Sequence, residues 1–271
     1  MIIDFHTHIF PEKIAQKTID TLAQKSNGTP FTNGTVDSLI SHMDFAGVNT
    51  SVTLPVLTKP TQFESVVRFA QEINERFGTD KTLPRIISFA GMHPQCEDID
   101  GKMRLVKELG FKGVKIHPDY QNTFIDDEGY IKILQSAKEY DLIVVTHSGV
   151  DDGYKDQPVK CPPQLVKKVI DKVKPTKFVL GHYGSHKLWE EFYSLLAGEN
   201  VYIDTAFSLH EMDAETFKKI LFKHGEDKVL FATDCPWQSM KHYLELIDSY
   251  NLDKQTKDKI LYKNALKLLN I

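Results

Sequence analysis

Cysteine is scarce in this 271-residue chain: Cys96, Cys161 and Cys235 are the whole set, odd in number, widely spaced and without a Cys-x-x-Cys pair. That excludes a disulfide framework and points to free thiols in a reducing compartment. Long apolar runs are missing too. The longest purely aliphatic run, Leu142 to Val145, is far below the ~20 residues of a bilayer-spanning helix. No basic segment leads an apolar one at the N-terminus, so no secretory signal is expected. Excess charge of one sign is also absent. With 33 Lys and Arg against 37 Asp and Glu, the net charge of −4 gives no footprint for nucleic acid or a membrane surface. The expectation is a cytoplasmic protein that acts on a small molecule, with pairing into a homodimer left open.

What is present is an alternation. Short, apolar, β-branched runs at 2–6, 50–55, 85–91, 113–117, 142–147, 177–182, 201–204 and 229–234 are separated by stretches with apolar residues at three- and four-residue spacing. From the second run onward the repeat is about 30 residues, the size of one βα unit. A doubly wound sheet should open with a Gly-rich phosphate turn, and here that turn reads His6-Thr7-His8-Ile9-Phe10-Pro11. The pattern predicts an α/β fold, a (β/α)8 TIM barrel, as a single domain over 1–271. Residues 11–34 read as an inserted helix and loop. A final helix over about 254–269 is expected to pack across the outside.

In such a barrel the reacting groups sit where strands end. Six strand ends are singled out for an imidazole or carboxylate at or just past their last residue: His6 and His8, His93, His117, His147, His182 and Asp234. His6 and His8, two apart on a strand, project to one face with Cα atoms about 6.5–7 Å apart, so both rings can reach one ion. Asp4 has the same phase and is a candidate to orient a ligand. His147, His182 and Asp234 count back by twos through apolar residues and are expected to face inward. Lys115 and His117 share a face. A buried ammonium needs a partner, so Lys115 would meet a substrate carboxylate or Asp234, or be carboxylated and bridge two metals. His93 and His117 each precede a proline and are candidates to line the site, with Tyr120, Tyr183 and Trp237 as a wall. His42, His210, His224 and His242 are expected to be solvated. His186, near a helix start, could reach the mouth.

The stretches around Asp4-Phe5-His6-Thr7-His8, Gly113-Val114-Lys115-Ile116-His117-Pro118, Val145-Thr146-His147, Leu180-Gly181-His182 and Ala232-Thr233-Asp234-Cys235-Pro236-Trp237 resemble the amidohydrolase superfamily. The branch that holds aminocarboxymuconate-semialdehyde decarboxylase is the most similar, although its decarboxylases lack the Lys-Ile-His-Pro ending. The resemblance implies a divalent metal, zinc by preference and one or two per chain, held by His6, His8, His147 and Asp234. It makes His182 a catalytic group or a further ligand. The function expected from this ligand set is a metal-dependent hydrolase that cleaves a small amide, ester or lactone with activated water. Asp234 would be the proton carrier, with His182 on the oxyanion and Lys115, His117, His93 and Trp237 on the substrate. The alternative is a metal-dependent decarboxylase of a small carboxylic acid. A phosphoesterase or a non-catalytic metal-binding barrel ranks lower.

Overall fold

The computed structural model describes residues 1–79 and 85–271. Nine short strands follow in chain order: β1 (Ile3–Thr7), β2 (Thr50–Thr53), β3 (Ile86–Ser88), β4 (Ala90–Gly91), β5 (Gly113–Ile116), β6 (Ile143–Thr146), β7 (Phe178–Leu180), β8 (Tyr202–Asp204) and β9 (Val229–Leu230). Each pairs in parallel with its neighbour in two ribbons, β1 to β3 and β4 to β9. β3 and β4 are two halves of one stave. Between them the Phe89 N–H donates to Thr53 O, and just beyond them the Met92 N–H donates to Lys115 O. The circle closes where the Phe5 N–H donates to Phe231 O and Thr7 bridges Cys235. The eight expected strands are therefore the eight staves of a (β/α)8 barrel, the third one interrupted.

Helices cover the staves with their apolar stripes. In Phe63–Phe77 the buried positions are Phe63, Val67, Ala70 and Ile73, and in Pro163–Val173 they include Val166, Val169, Ile170 and Val173. This spacing of three and four places one face on the sheet. Two apolar layers result. The outer one lies between staves and helices. The inner one joins residues from opposite sides of the barrel, among them Ile3, Phe5, Val52, Phe89, Ile143, Val145 and Leu230.

The C-terminal run is not on the outside as expected. Lys254–Asp258 continues through a π-turn, Lys259–Lys263, into Asn264–Leu269. Ala265, Leu268 and Leu269 pack onto the inner layer beside the starts of the strands, and Ile260 O accepts the Phe231 N–H. An open barrel end would leave that layer wet, and covering each large aliphatic side chain is worth ~1.5–3 kcal/mol. The helix is a bottom plug. The opposite end is left open.

Candidate metal centre

Strand alternation alone does not place His6 and His8. Across β1 and β2, Asp4 pairs with Ser51 but Thr7 pairs with Thr53, three residues against two, so β1 carries a bulge. The bulge lets Phe5 fill the inner layer while His6 and His8, just beyond, line the cavity. It also overturns the expectation for Asp4. That carboxylate touches neither imidazole; it accepts from the His6 N–H at 3.3 Å, the Thr233 N–H at 3.0 Å and the Thr233 hydroxyl. It pins the bulge to the last stave, and burial pushes it up to about 7.

The two rings are oriented from behind. His6 Nδ1 lies 2.8 Å from Asp204 Oδ2, and His8 Nδ1 donates to Leu54 O at 2.9 Å. A carbonyl accepts only, so His8 carries a proton on Nδ1 and turns its Nε2 to the cavity. That nitrogen lies 3.0 Å from Asp234 Oδ1, and His6 Nε2 lies 3.5 Å from the same oxygen. Burial raises the Asp234 carboxyl, but the contact with His8 and the surrounding imidazoles of His6, His8 and His182 outweigh it and hold the group at about 2. A nitrogen and a carboxylate oxygen this close are held together by a proton on the ring or by a metal cation between them. Donors bound to an ion at about 2.0–2.1 Å stand roughly 3–3.4 Å apart, so His6, His8 and Asp234 fit a divalent metal. Lys115 Nζ donates to His6 Nε2 at 2.9 Å, with burial bringing the lysine down to about 8.

His182 reaches the cavity by a different route from the one expected. Phe178 and Leu180 pack outward against the helices and Val179 packs inward, so counting by twos would send His182 outward. Instead His182, Tyr183 and Gly184 have φ of +60°, +55° and +86°, and this left-handed turn brings the ring round. Such a conformation costs a non-glycine residue ~1–2 kcal/mol. Asp204 Oδ1 holds it by accepting the His182 N–H at 3.0 Å, and His182 Nδ1 lies 3.1 Å from Ala206 O. Asp204 therefore supports both His6 and His182. It is the functional residue that sequence reasoning missed, although it ends the 201–204 run as the others end theirs.

The structure does not bring His147 into the same three-donor group. His147 groups with His117 and Asp151, stacked on His117 at a ring separation of 4.5 Å and also 4.5 Å from the His182 ring. Among the described residues its buried Nε2 has no hydrogen-bond partner; Asp119 Oδ2, 4.0 Å away, is equally unpaired. Burial pushes Asp119 up to about 6, and burial with the nearby Asp119 pushes Asp151 to about 7. Burial also holds His6, His117, His147 and His182 well below the ordinary imidazole value.

Other expected residues divide. Lys115, His117, Tyr120, His186 and Trp237 line the cavity, which has a volume of about 840 Å³. His93 does not; it is buried, with Nδ1 accepting the Gln95 N–H at 3.1 Å. Nor does Tyr183, whose hydroxyl donates to Phe217 O. Among the histidines expected to be solvated, His242 and His210 are exposed, although His210 Nδ1 meets the Tyr243 hydroxyl at 2.8 Å. His224 is buried with Nε2 3.0 Å from Val201 O, and His42 is half-buried, its Nε2 accepting the Met240 N–H. Helical position said nothing about which face these rings occupy.

No curated protein is significantly similar to this sequence. Solved structures are similar in fold. An uncharacterized TIM-barrel protein from Bordetella bronchiseptica superposes with a TM-score of 0.77 at 15% identity, over 99% of this chain and 98% of that one. A 5-carboxyvanillate decarboxylase from Novosphingobium aromaticivorans, complexed with manganese and 4-hydroxy-3-methoxy-5-nitrobenzoic acid, gives 0.70 at 16% identity over 100% and 96%. A dihydroxybenzoic acid decarboxylase from a Polaromonas species, with manganese and 2-nitroresorcinol, gives 0.70 at 18% over 99% and 96%. At these identities the likeness establishes the barrel. Membership comes from the sequence itself: residues 3–271 match the amidohydrolase family, and to that family the chain belongs.

Proposed function

We propose that the chain is a metal-dependent decarboxylase of a small carboxylic acid with an apolar body. The observation that carries this reading is the division of the cavity. Its polar floor is His6, His8, Lys115, His182 and Asp234, while Phe10, Ile14, Leu54, Phe69, Phe207 and Trp237 supply apolar lining. A carboxylate at the floor and a flat or aliphatic body along the walls match that division. The fold likeness to decarboxylases whose structures hold aromatic ligands agrees with it.

His6, His8 and Asp234 would hold the ion, zinc by preference or manganese; His147, whose Nε2 is unpaired but belongs to the neighbouring group, would have to move in to serve as a fourth donor. When bound, the ion would supply a Lewis acid that fixes the anionic end of the substrate. The protein does the rest. Lys115 places an ammonium beside the same floor. As the carbon–carbon bond breaks and CO2 leaves, the electron pair stays on the substrate carbon, which must take a proton. Asp234, ionised and facing the cavity, can receive that proton from an acidic hydroxyl of the substrate and pass it to the carbon. His182 Nε2 is the adjacent polar contact.

Hydrolysis of an amide, ester or lactone is the second reading, favoured by the 2.9 Å contact between Lys115 and His6. A lysine brought down to about 8 is more readily neutral, and a neutral amine can take up CO2 and bridge two ions. Two assays separate the readings. The number of ions lost on His6→Ala/His8→Ala substitution should be one for decarboxylation and two for the bridged hydrolase. Aromatic and unsaturated carboxylic acids, supplied with Zn²⁺ or Mn²⁺, should release CO2, and Lys115→Met should abolish it. Acid release from amides, esters or lactones without any CO2 from carboxylic acids would overturn the decarboxylase.

A further inference from the structure

A second cluster stands at the mouth of the cavity, where the proposed chemistry makes no use of it. His186 is 3% exposed, yet among the described residues neither of its ring nitrogens has a hydrogen-bond partner. Its Nε2 lies 3.7 Å from Asp152 Oδ2 and 3.8 Å from Glu211 Oε2, too long for hydrogen bonds. A buried polar ring left unsatisfied between two carboxylates calls for a missing partner. We propose that Asp152, His186 and Glu211 form a further divalent-cation site, separate from the floor, for an ion of the zinc or manganese class.

The donor set suits that class, with one imidazole and two carboxylates whose donor atoms lie within 4.8 Å of one another. The three residues come from the loops after β6, β7 and β8, which meet at the mouth. The approach of the first two is built in. Gly149 and His186 form an isolated parallel bridge, the His186 N–H donates to Ser148 O and the Val150 N–H to His186 O. A Cβ on Gly149, at φ +90°, would meet His186 N at 2.2 Å. Only glycine lets the loops touch there, and that contact seats His186 beside Asp152.

The charged and titratable groups facing the cluster include Lys187 and His210, with Asp151 beside Asp152 and the His147 and His182 rings behind His186. The Lys187 ammonium donates to Asp152 at 2.7 and 2.9 Å and lies 3.6 Å from Glu211 Oε1. It neutralises part of the acidic pair and, being partly exposed, can withdraw into solvent when an ion enters. His210 Nε2 is 4.0 Å from Glu211 Oε1, and its Nδ1 is engaged by Tyr243. An ion here would clamp three loops together and place positive charge at the entrance.

The test is equilibrium dialysis with Mn²⁺ and with Zn²⁺, followed by elemental analysis, on His6→Ala/His8→Ala protein whose floor site is removed. That protein should retain an ion, and adding Asp152→Asn, His186→Ala or Glu211→Gln should weaken its binding at least tenfold. Adding His242→Ala, a change at an exposed histidine, should leave it untouched. Glu211 is partly exposed, so Glu211→Gln keeps the test sound if His186→Ala fails to fold. No retained ion in excess metal, or a retained ion indifferent to all three changes, would overturn the proposal. Turnover is not read, so the result stands apart from the success or failure of the decarboxylase reading.

Discussion

The floor and the mouth of the cavity use the same residue types in opposite ways. At the floor, the ring nitrogen that faces away from the cavity has a partner in each case: Asp204 for His6, Leu54 O for His8, Ala206 O for His182. Those partners sit on or next to strands. At the mouth, His186 stands on a loop with both nitrogens unpartnered among the described residues. The floor is fixed before anything binds, whereas the mouth has its donors close but incompletely engaged. Strand-built sites gain geometry and loop-built ones gain adaptability. The comparison can be broken at either end.

The largest effect should come from Asp234→Asn. The amide keeps the size but loses the charge and the proton carrier. Turnover should fall by on the order of 10³-fold in saturating metal, with the melting curve little changed. The check is kcat beside a thermal melt. Near-normal turnover would mean that the floor is not where the reaction occurs.

Next comes a control histidine that is buried but belongs to neither region. Burial brings His224 from 6.5 to about 4. The sign follows from linkage: between those values the unfolded chain takes up a proton that the folded one refuses, so stability falls as the pH drops. Over the whole window the loss is about 3 kcal/mol. His224→Gln should lose less stability than the wild type between pH 7 and pH 4.5 in urea unfolding. Equal losses would place the acid sensitivity elsewhere, with the raised carboxyls of Asp4, Asp119 and Asp151 as stabilising opponents to be counted.

Asp204→Asn tests the pinning itself. The amide can still accept the His182 and Ala206 N–H groups, but it presents N–H to His6 Nδ1 and favours the wrong tautomer. Metal affinity at the floor should weaken about 10–100-fold while the fold survives. Dialysis against a metal buffer reads it directly. An unchanged affinity would mean that His6 needs no support from behind, and the contrast with the mouth would lose its physical basis.

Much of this was legible in the sequence, and what was not has local causes. Eight runs of β-branched residues gave the barrel, and polar strand ends gave His6, His8, His182 and Asp234. Period-two counting failed where the backbone leaves the strand: at the β1 bulge, which moves Asp4 away from the rings, and at the left-handed turn that rescues His182. The bulge is a pairing mismatch with β2 and has no composition of its own. The plug at 254–269 showed a helical pattern whose partner surface could not be read from it. Asp204 was visible by the rule that found the others and was overlooked because only a structure shows which rings a carboxylate supports. The mouth was the least legible, since its residues meet through loops.

The smallest effect should come from the inserted helix Glu12–Ser26, which lines the cavity with Ile14, Thr18 and Leu22 and reaches the loop after β6 through a cation–aromatic contact. Lys25 Nζ lies 3.2 Å from the centre of the Tyr154 ring and 5.5 Å from that of Tyr120, a cavity-lining residue that also stacks on His117. A contact of this kind at a partly exposed site is worth ~0.5–1 kcal/mol, a factor of about 2–5 in an equilibrium. If the insertion only shapes the entrance, Lys25→Ala should raise KM by that factor and leave kcat alone, because none of the floor groups touches Lys25. A fall in kcat with KM unchanged would show instead that the position of Tyr120 is transmitted through His117 and His147 to the floor, making the two regions one device.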